Sequence, residues 1–218
     1  MTPRVHRHFI STARRVSPPL YAAIVQIGRL EMPDRRGRGF AWFLARVIVG
    51  QQLSTSAARS IWARVEIAVK ANGGSVPECF TGKNARVLRA CGLSQNKVKA
   101  LIAIREAHAA GLLSVQRLRR MTHAERSVHL TAIWGVGQWT ADMASIFYFR
   151  DVDVWPQGDL GVYRGLERVT GKRSRRTLLK IANAFAPYRS FLALYMWRVL
   201  DGTVEGTPKA TSGSKQPV

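Results

Sequence analysis

The sequence predicts an all-α fold, on three observations. Apolar residues recur at helical spacing along most of the chain, capping signals open successive segments, and no stretch sustains a period-two alternation rich in β-branched residues. With 218 residues, 46% of them hydrophobic, the chain can bury a full core in one or two compact lobes. No internal repeat at a fixed period is present.

The elements follow in order. Residues 1–16 hold four arginines and two histidines among few apolar residues, and read as a basic flexible arm. Ser17-Pro18 is an N-cap followed by proline at the first helical position, and Leu20, Ala23, Ile24, Ile27 and Leu30 then mark one face. The loop 34–39 is basic. A helix over 40–51 buries Phe43, Leu44, Val47 and Ile48, and Ser54 caps the next, which carries Ala57, Ile61, Trp62 and Val65. A loop over 72–82 precedes short helices over 84–91, 94–110 and 114–120. Thr122-x-x-Glu125 is a capping box opening a further helix. Helical runs over 130–134 and 139–149 are joined by Gly135-Val136-Gly137, and helices over 160–170, 174–186 and 187–200 complete the fold. The segment 206–218 has linker composition and reads as a disordered tail.

Charge narrows the function. Thirty-four Lys+Arg against thirteen Asp+Glu give a net +21, a field that favours polyanions and above all nucleic acid. Cys79 and Cys91 are the only cysteines, too few for a zinc ribbon or an iron–sulfur cluster, and His6, His8, His108, His123 and His129 form no ligand motif. Two cysteines in so long a chain suggest a reducing cytoplasm rather than a disulfide framework. No signal peptide or apolar run of membrane-spanning length is present, so the expected place is cytoplasmic and nucleoid-associated.

The chemistry gathers in 130–159. A Gly-x-Gly between two helices makes a tight hairpin whose amides can approach an anion at the start of the second helix. Gly135, Val136, Gly137, Gln138 and Thr140 are therefore the expected DNA-backbone contacts, with Val136 packing inward. Asp159 follows Pro156 and Gly158 at the mouth of the next helix, where a carboxylate can act as an N-cap, as a catalytic group, or as both. Gln52 and Leu53, at a helix–helix corner, suit insertion into an opened base stack.

Ile133-Trp-Gly-Val-Gly-Gln-Trp-Thr-Ala141 resembles the helix-hairpin-helix motif of the HhH-GPD DNA glycosylase superfamily, and Asp159 in Pro-Gln-Gly-Asp-Leu-Gly matches that superfamily's catalytic aspartate. Gly50-Gln51-Gln52-Leu53-Ser54, Trp139-Thr140-Ala141, and Pro187-Tyr188-Arg189-Ser190 followed by Trp197 are similar to the 3-methyladenine DNA glycosylase II branch, over roughly 17–202. The resemblance implies a two-lobed helical fold with the active site in the cleft between lobes, the core spanning 17–205. Lobe one would be about 35–130, and lobe two 17–34 plus 131–205. It implies a compact form without the β domain that better-known members carry at the N-terminus.

The resemblance further implies a monofunctional glycosylase of base excision repair that extrudes an alkylated base and hydrolyses its N-glycosidic bond, leaving an abasic site. Bifunctional branches carry a lysine where this chain has Trp139, and no lysine occurs in 130–160, so lyase activity is not expected. Trp139, Tyr188, Met143 and Leu160 are the expected base pocket; family members often carry tyrosine where Met143 and Leu160 stand. Trp134, Trp155 and Trp197 are expected in the core. No cofactor is expected to be required. A structural Na+ or K+ on the carbonyls of Thr131, Ile133 and Val136 is implied by the resemblance, and an iron–sulfur cluster is not. The expected partner is double-stranded DNA containing damaged bases, bound by a monomer and not at a membrane. Two other readings stay open: the same fold acting on uracil, mismatched thymine or hypoxanthine, and a non-catalytic DNA-binding module.

Overall fold

The computed structural model describes residues 1–72 and 74–202; the tail expected over 206–218 lies outside them. The described residues are helices and connections, without a strand. They divide into two compact units, one made of Met1–Met32 with the chain from Val152 onward, the other of Pro33–Asp151.

The first unit contains α1 (Pro3–Val16), α2 (Pro18–Ile27), α10 (Leu160–Thr170), α11 (Arg175–Asn183) and α12 (Arg189–Leu200). Residues 1–16 are not a flexible arm. The Thr2 hydroxyl caps α1 by accepting from the Val5 amide, Pro3 opens it, and Phe9, Thr12 and Ala13 form a buried face at helical spacing. Phe9 sits at ring-centroid distances of 4.8 Å from Phe185 and 5.6 Å from Tyr195. The basic composition misleads because the arginines line the wet side of an amphipathic helix. Helix α2 ends at Gly28, short of Leu30, and its last turn is closed by the Tyr195 hydroxyl, which donates to the Gly28 carbonyl at 2.7 Å.

The second unit holds α3 (Phe40–Gly50), α4 (Thr55–Ala71), α5 (Ala85–Ala90), α6 (Gln95–Ala109), α7 (Val115–Arg119), α8 (His123–Thr131) and α9 (Gln138–Met143). Helix α9 runs on as a π-helical turn over Ala144–Phe149 and stops at Arg150, whose left-handed φ is 64°. Its core joins Phe40, Phe43, Leu44 and Ile48 of α3 to Trp62, Leu101, Ile104, Leu130, Val136 and Tyr148. A buried arginine ties the end of the unit together. Arg126 donates to the carbonyls of Leu118 and Met121, to the Ser145 hydroxyl and to Asp151 at 2.5 Å, and lies 4.1 Å over the Phe149 ring. All three guanidinium nitrogens are engaged, as burial of the group requires. The structural boundary also corrects the expected lobes: 131–151, with the hairpin and Trp139, belongs to the Pro33–Asp151 unit.

Candidate functional site

In the first unit the chemistry centres on Asp159. The chain reaches it through the loop 152–159, which residues of α10, α11 and α12 hold at five points. The Ser190 amide donates to the Val152 carbonyl at 3.0 Å, and the Ser190 hydroxyl accepts from the Val154 amide at 2.9 Å. Arg189 clamps Asp153 through Nε at 2.7 Å and a second nitrogen at 3.0 Å. Burial works against the Asp153 carboxylate, but the hydrogen bonds from Arg189 outweigh it and leave the pKa lowered. The Trp155 indole donates to the Tyr163 hydroxyl at 3.2 Å, and Arg175, stacked 4.0 Å over the Tyr163 ring, donates to the Gln157 carbonyl. The Pro-Tyr-Arg-Ser motif thus works as the clasp of the loop that delivers Asp159.

Asp159 is the N-cap of α10. Its Oδ1 accepts from the Val162 amide at 3.0 Å and from the Trp197 indole at 3.2 Å. The helix dipole and two N–H donors fix the carboxylate with its charge at the N-terminus of an eleven-residue helix. The close fit depends on Gly161: a Cβ there would lie 2.8 Å from Asp159 Oδ1 and 3.2 Å from the Trp197 indole nitrogen. Trp197 is therefore not a core residue as expected. It is half-buried and reaches the carboxylate, because α12 packs along α10. Trp155 is buried as expected. Tyr188 is half-buried, edge-on to His8 at 5.7 Å, and Leu160 is 60% exposed at the first position of α10.

In the second unit α8 and α9 form the helix-hairpin-helix. Gly135 has φ 83°, and a Cβ on it would fall 2.5 Å from the Ala100 Cβ of α6, so only glycine lets the hairpin seat there. Val136 is buried and anchors the turn, its amide donating to the Ile133 carbonyl at 3.0 Å, while Gly135 and Gly137 face solvent. Behind the hairpin, buried Asp142 accepts from the Gln138 side chain at 2.8 Å and meets His123 Nε2 at 3.0 Å, with Ser127 bridging both. The Gln138 amide is thereby engaged in bracing the motif.

Two expectations for this region change. Thr140 is fully buried, and its hydroxyl accepts from the Gln51 side chain at 2.8 Å, so it cannot touch DNA; it locks α3 to α9. Trp134 is 44% exposed rather than core, with the Lys99 ammonium 4.3 Å from its ring, because it precedes a turn that points it outward.

The corner after α3 is stiffened from below. Lys97 Nζ donates to the carbonyls of Val49 at 2.9 Å and Gln51 at 2.8 Å, where the helix dipole favours a cation. Gln52 then takes a left-handed φ of 57°, and both Gln52 and Leu53 project into solvent. Such a conformation in a non-glycine residue costs energy that the Lys97 and Gln51 contacts must offset. Leu53 also lines a groove of about 960 Å³, which Trp139, Met143, Trp42, Phe43 and Phe147 line as well. The structure therefore brings Trp139, Met143 and Leu53 to one concavity.

The HhH-GPD family, described as "HhH-GPD superfamily base excision DNA repair protein", matches residues 45–188. The chain belongs to the HhH-GPD superfamily. Among its HhH-GPD relatives, DNA-3-methyladenine glycosylase 1 of Schizosaccharomyces pombe is 34% identical over 160 residues, spanning 71% of this chain and 70% of that one. Two solved structures are similar. One is a Schizosaccharomyces pombe 3-methyladenine DNA glycosylase in complex with abasic DNA, with TM-score 0.77, 27% identity, and coverage of 89% of this chain and 95% of that chain. The other is a DNA-3-methyladenine glycosidase from Bacillus halodurans, with TM-score 0.72, 30% identity, and coverage of 90% and 88%. The HhH-GPD match spans both the hairpin and Asp159. Among the described residues no helix is long and apolar enough to cross a membrane.

Proposed function

We propose that this protein is a monofunctional DNA glycosylase that releases alkylated purines, of the 3-methyladenine and 7-methylguanine type, from double-stranded DNA. The observation that carries the reading is the Asp159 carboxylate, fixed by the Val162 amide and the Trp197 indole at the N-terminus of α10, in a chain of the base excision repair superfamily. A module that only bound DNA would need this carboxylate as a helix cap and no more, whereas the Trp197 indole on the same oxygen goes beyond what a cap requires.

The damaged nucleotide leaves the stack, because its glycosidic bond is unreachable inside the duplex. Leu53 or Gln52 fills the gap. Asp159 stabilises the positive charge that develops on the sugar and orients the attacking water. Trp139 faces the base. N-alkylation at purine N3 or N7 places a positive charge on the ring, and an indole face attracts that cation over a neutral base. Met143 lines the same groove; Tyr188 and Leu160, in the unit of Asp159, are assigned to base contact by the family resemblance alone. These lesions already have weakened glycosidic bonds, which suits a site with one carboxylate. With no lysine in 130–160, the hairpin-to-Asp159 stretch lacks the amine a covalent imine would need. Borohydride is accordingly expected to trap no enzyme–DNA adduct, and a trapped adduct would overturn the monofunctional assignment.

Gly135 and Gly137 present the hairpin backbone to a DNA phosphate. By the resemblance, the backbone oxygens of Thr131, Ile133 and Val136 would hold a monovalent cation, a carbonyl donor set that suits Na+ or K+. A monovalent cation there would add positive charge against the phosphate.

The test is base release from duplexes carrying a panel of lesions. Methylated purines are expected to be released and uracil left in place. Release of uracil or hypoxanthine with methylated purines ignored would replace this reading.

A further inference from the structure

The groove beside Trp139 is larger than a base needs. At about 960 Å³ it lies at the upper end of sites that hold whole drug-sized ligands, whereas a purine has only about ten ring and substituent atoms. Its wall is also strongly basic. Arg35 and Arg38 come from the loop before α3, Arg46 from α3 and Arg59 from α4, and the acids beside them are Asp34 and Glu66. Asp34 is already engaged by Arg36 at 2.5 Å and Arg150 at 3.7 Å. Arg35, Arg38 and Arg59 are exposed and form no ion pair among the described residues, with Arg38 lying 5.3 Å over the Trp42 ring. Arg46 lies 5.6 Å and 6.0 Å from the Trp42 and Trp62 rings; burial, then the like charge of Arg35, lowers its pKa. Converging guanidiniums repel one another, and an anion in the groove relieves that repulsion.

We propose that Arg35, Arg38 and Arg59 bind the phosphates flanking an extruded nucleotide, so that the groove holds the backbone of the opened strand while Trp139 takes its base. The proposal rests on the glycosylase reading. It separates two kinds of DNA contact: the hairpin grips any duplex, whereas the groove, continuous with Trp139 and Leu53, engages only a strand that has left the stack. Within the Arg35-Arg36-Gly37-Arg38 run it also separates Arg35 and Arg38, which face the groove, from Arg36, which Asp34 holds.

The experiment measures affinity for a duplex carrying a tetrahydrofuran abasic analogue and for the same duplex undamaged, from about 50 to 200 mM salt. The parent is compared with the triple variants R35Q/R38Q/R59Q and R35K/R38K/R59K, with thermal melts in parallel. The glutamine variant is expected to lose about tenfold or more of the preference for the abasic duplex. Its salt slope on that duplex should fall by about 2–3, at ~0.9 per phosphate contact, with the slope on undamaged DNA unchanged. The lysine variant keeps the charge, and with it the preference. A glutamine variant that retains both preference and slope, or that loses slope equally on both duplexes, overturns the groove assignment alone. A parent that neither prefers the abasic duplex nor releases a base overturns the glycosylase reading and the groove with it.

Discussion

Asp159 and Trp197 stand 38 positions apart and meet at one oxygen. The indole is a positioning group: it touches the carboxylate, and its N–H adds to the donor already supplied by the Val162 amide. Trp197→Phe removes that donor while keeping an aromatic ring. A hydrogen bond to a charged acceptor is worth about 1.5–3 kcal/mol, so base release at saturating enzyme is expected to slow by about one to two orders of magnitude. Affinity for abasic DNA and the melting temperature should change little; equal losses in both would mean that Trp197 merely packs. Gly161→Ala places a methyl group 2.8 Å from the Asp159 oxygen and should give the same kinetic defect. Asp159 itself was legible from Pro156, Gly158 and the helix that follows. Trp197 was not, because sequence places it on a helix but does not say which neighbouring terminus that helix crosses.

At the scale of elements, the loop 152–159 and the first helix carry what the sequence hid. The loop depends on the Asp153–Arg189 pair. Because the folded pKa of Asp153 is lowered, the pair's stabilisation is complete above the unfolded value of about 3.9 and is lost as pH falls through the folded value. Melting temperature measured below about pH 4 should therefore fall more steeply in the parent than in Asp153→Asn; parallel curves would remove the pair from the account. Helix α1 was read as an arm because four arginines dominate its composition, while its buried face rests on Phe9, Thr12 and Ala13 alone. Phe9→Ala is expected to cost about 3–5 kcal/mol, seen as a large drop in denaturant midpoint. A neutral effect would return 1–16 to the status of an arm. The hairpin was the most legible element, since Gly-Val-Gly between two apolar helices permits few conformations. Its bracing by Asp142, His123 and Gln138 was not, because those contacts lie between side chains whose facing only the packed helices decide.

At the scale of the molecule, a net charge of +21 predicted a polyanion partner without saying where it sits. The structure sorts that charge: Arg126 is buried as a brace, Arg175 and Arg189 hold the loop before Asp159, Lys97 closes α3, and Arg35, Arg38 and Arg59 face the groove. Helical periodicity made the all-α class readable from the sequence, but the unit boundary fell at Asp151 rather than near residue 130. The run from α8 through the π-helical turn packs with α3 and shares its core. Trp139 lies in one unit and Asp159 in the other. The proposed activity depends on the Asp159 carboxylate carrying out the hydrolysis. The most direct measurement is single-turnover release of 7-methylguanine from a methylated duplex by the parent and by Asp159→Asn, with binding to abasic-analogue DNA followed in both. The variant should bind that DNA comparably and release no base above the uncatalysed rate, whereas release at the parental rate would contradict the account.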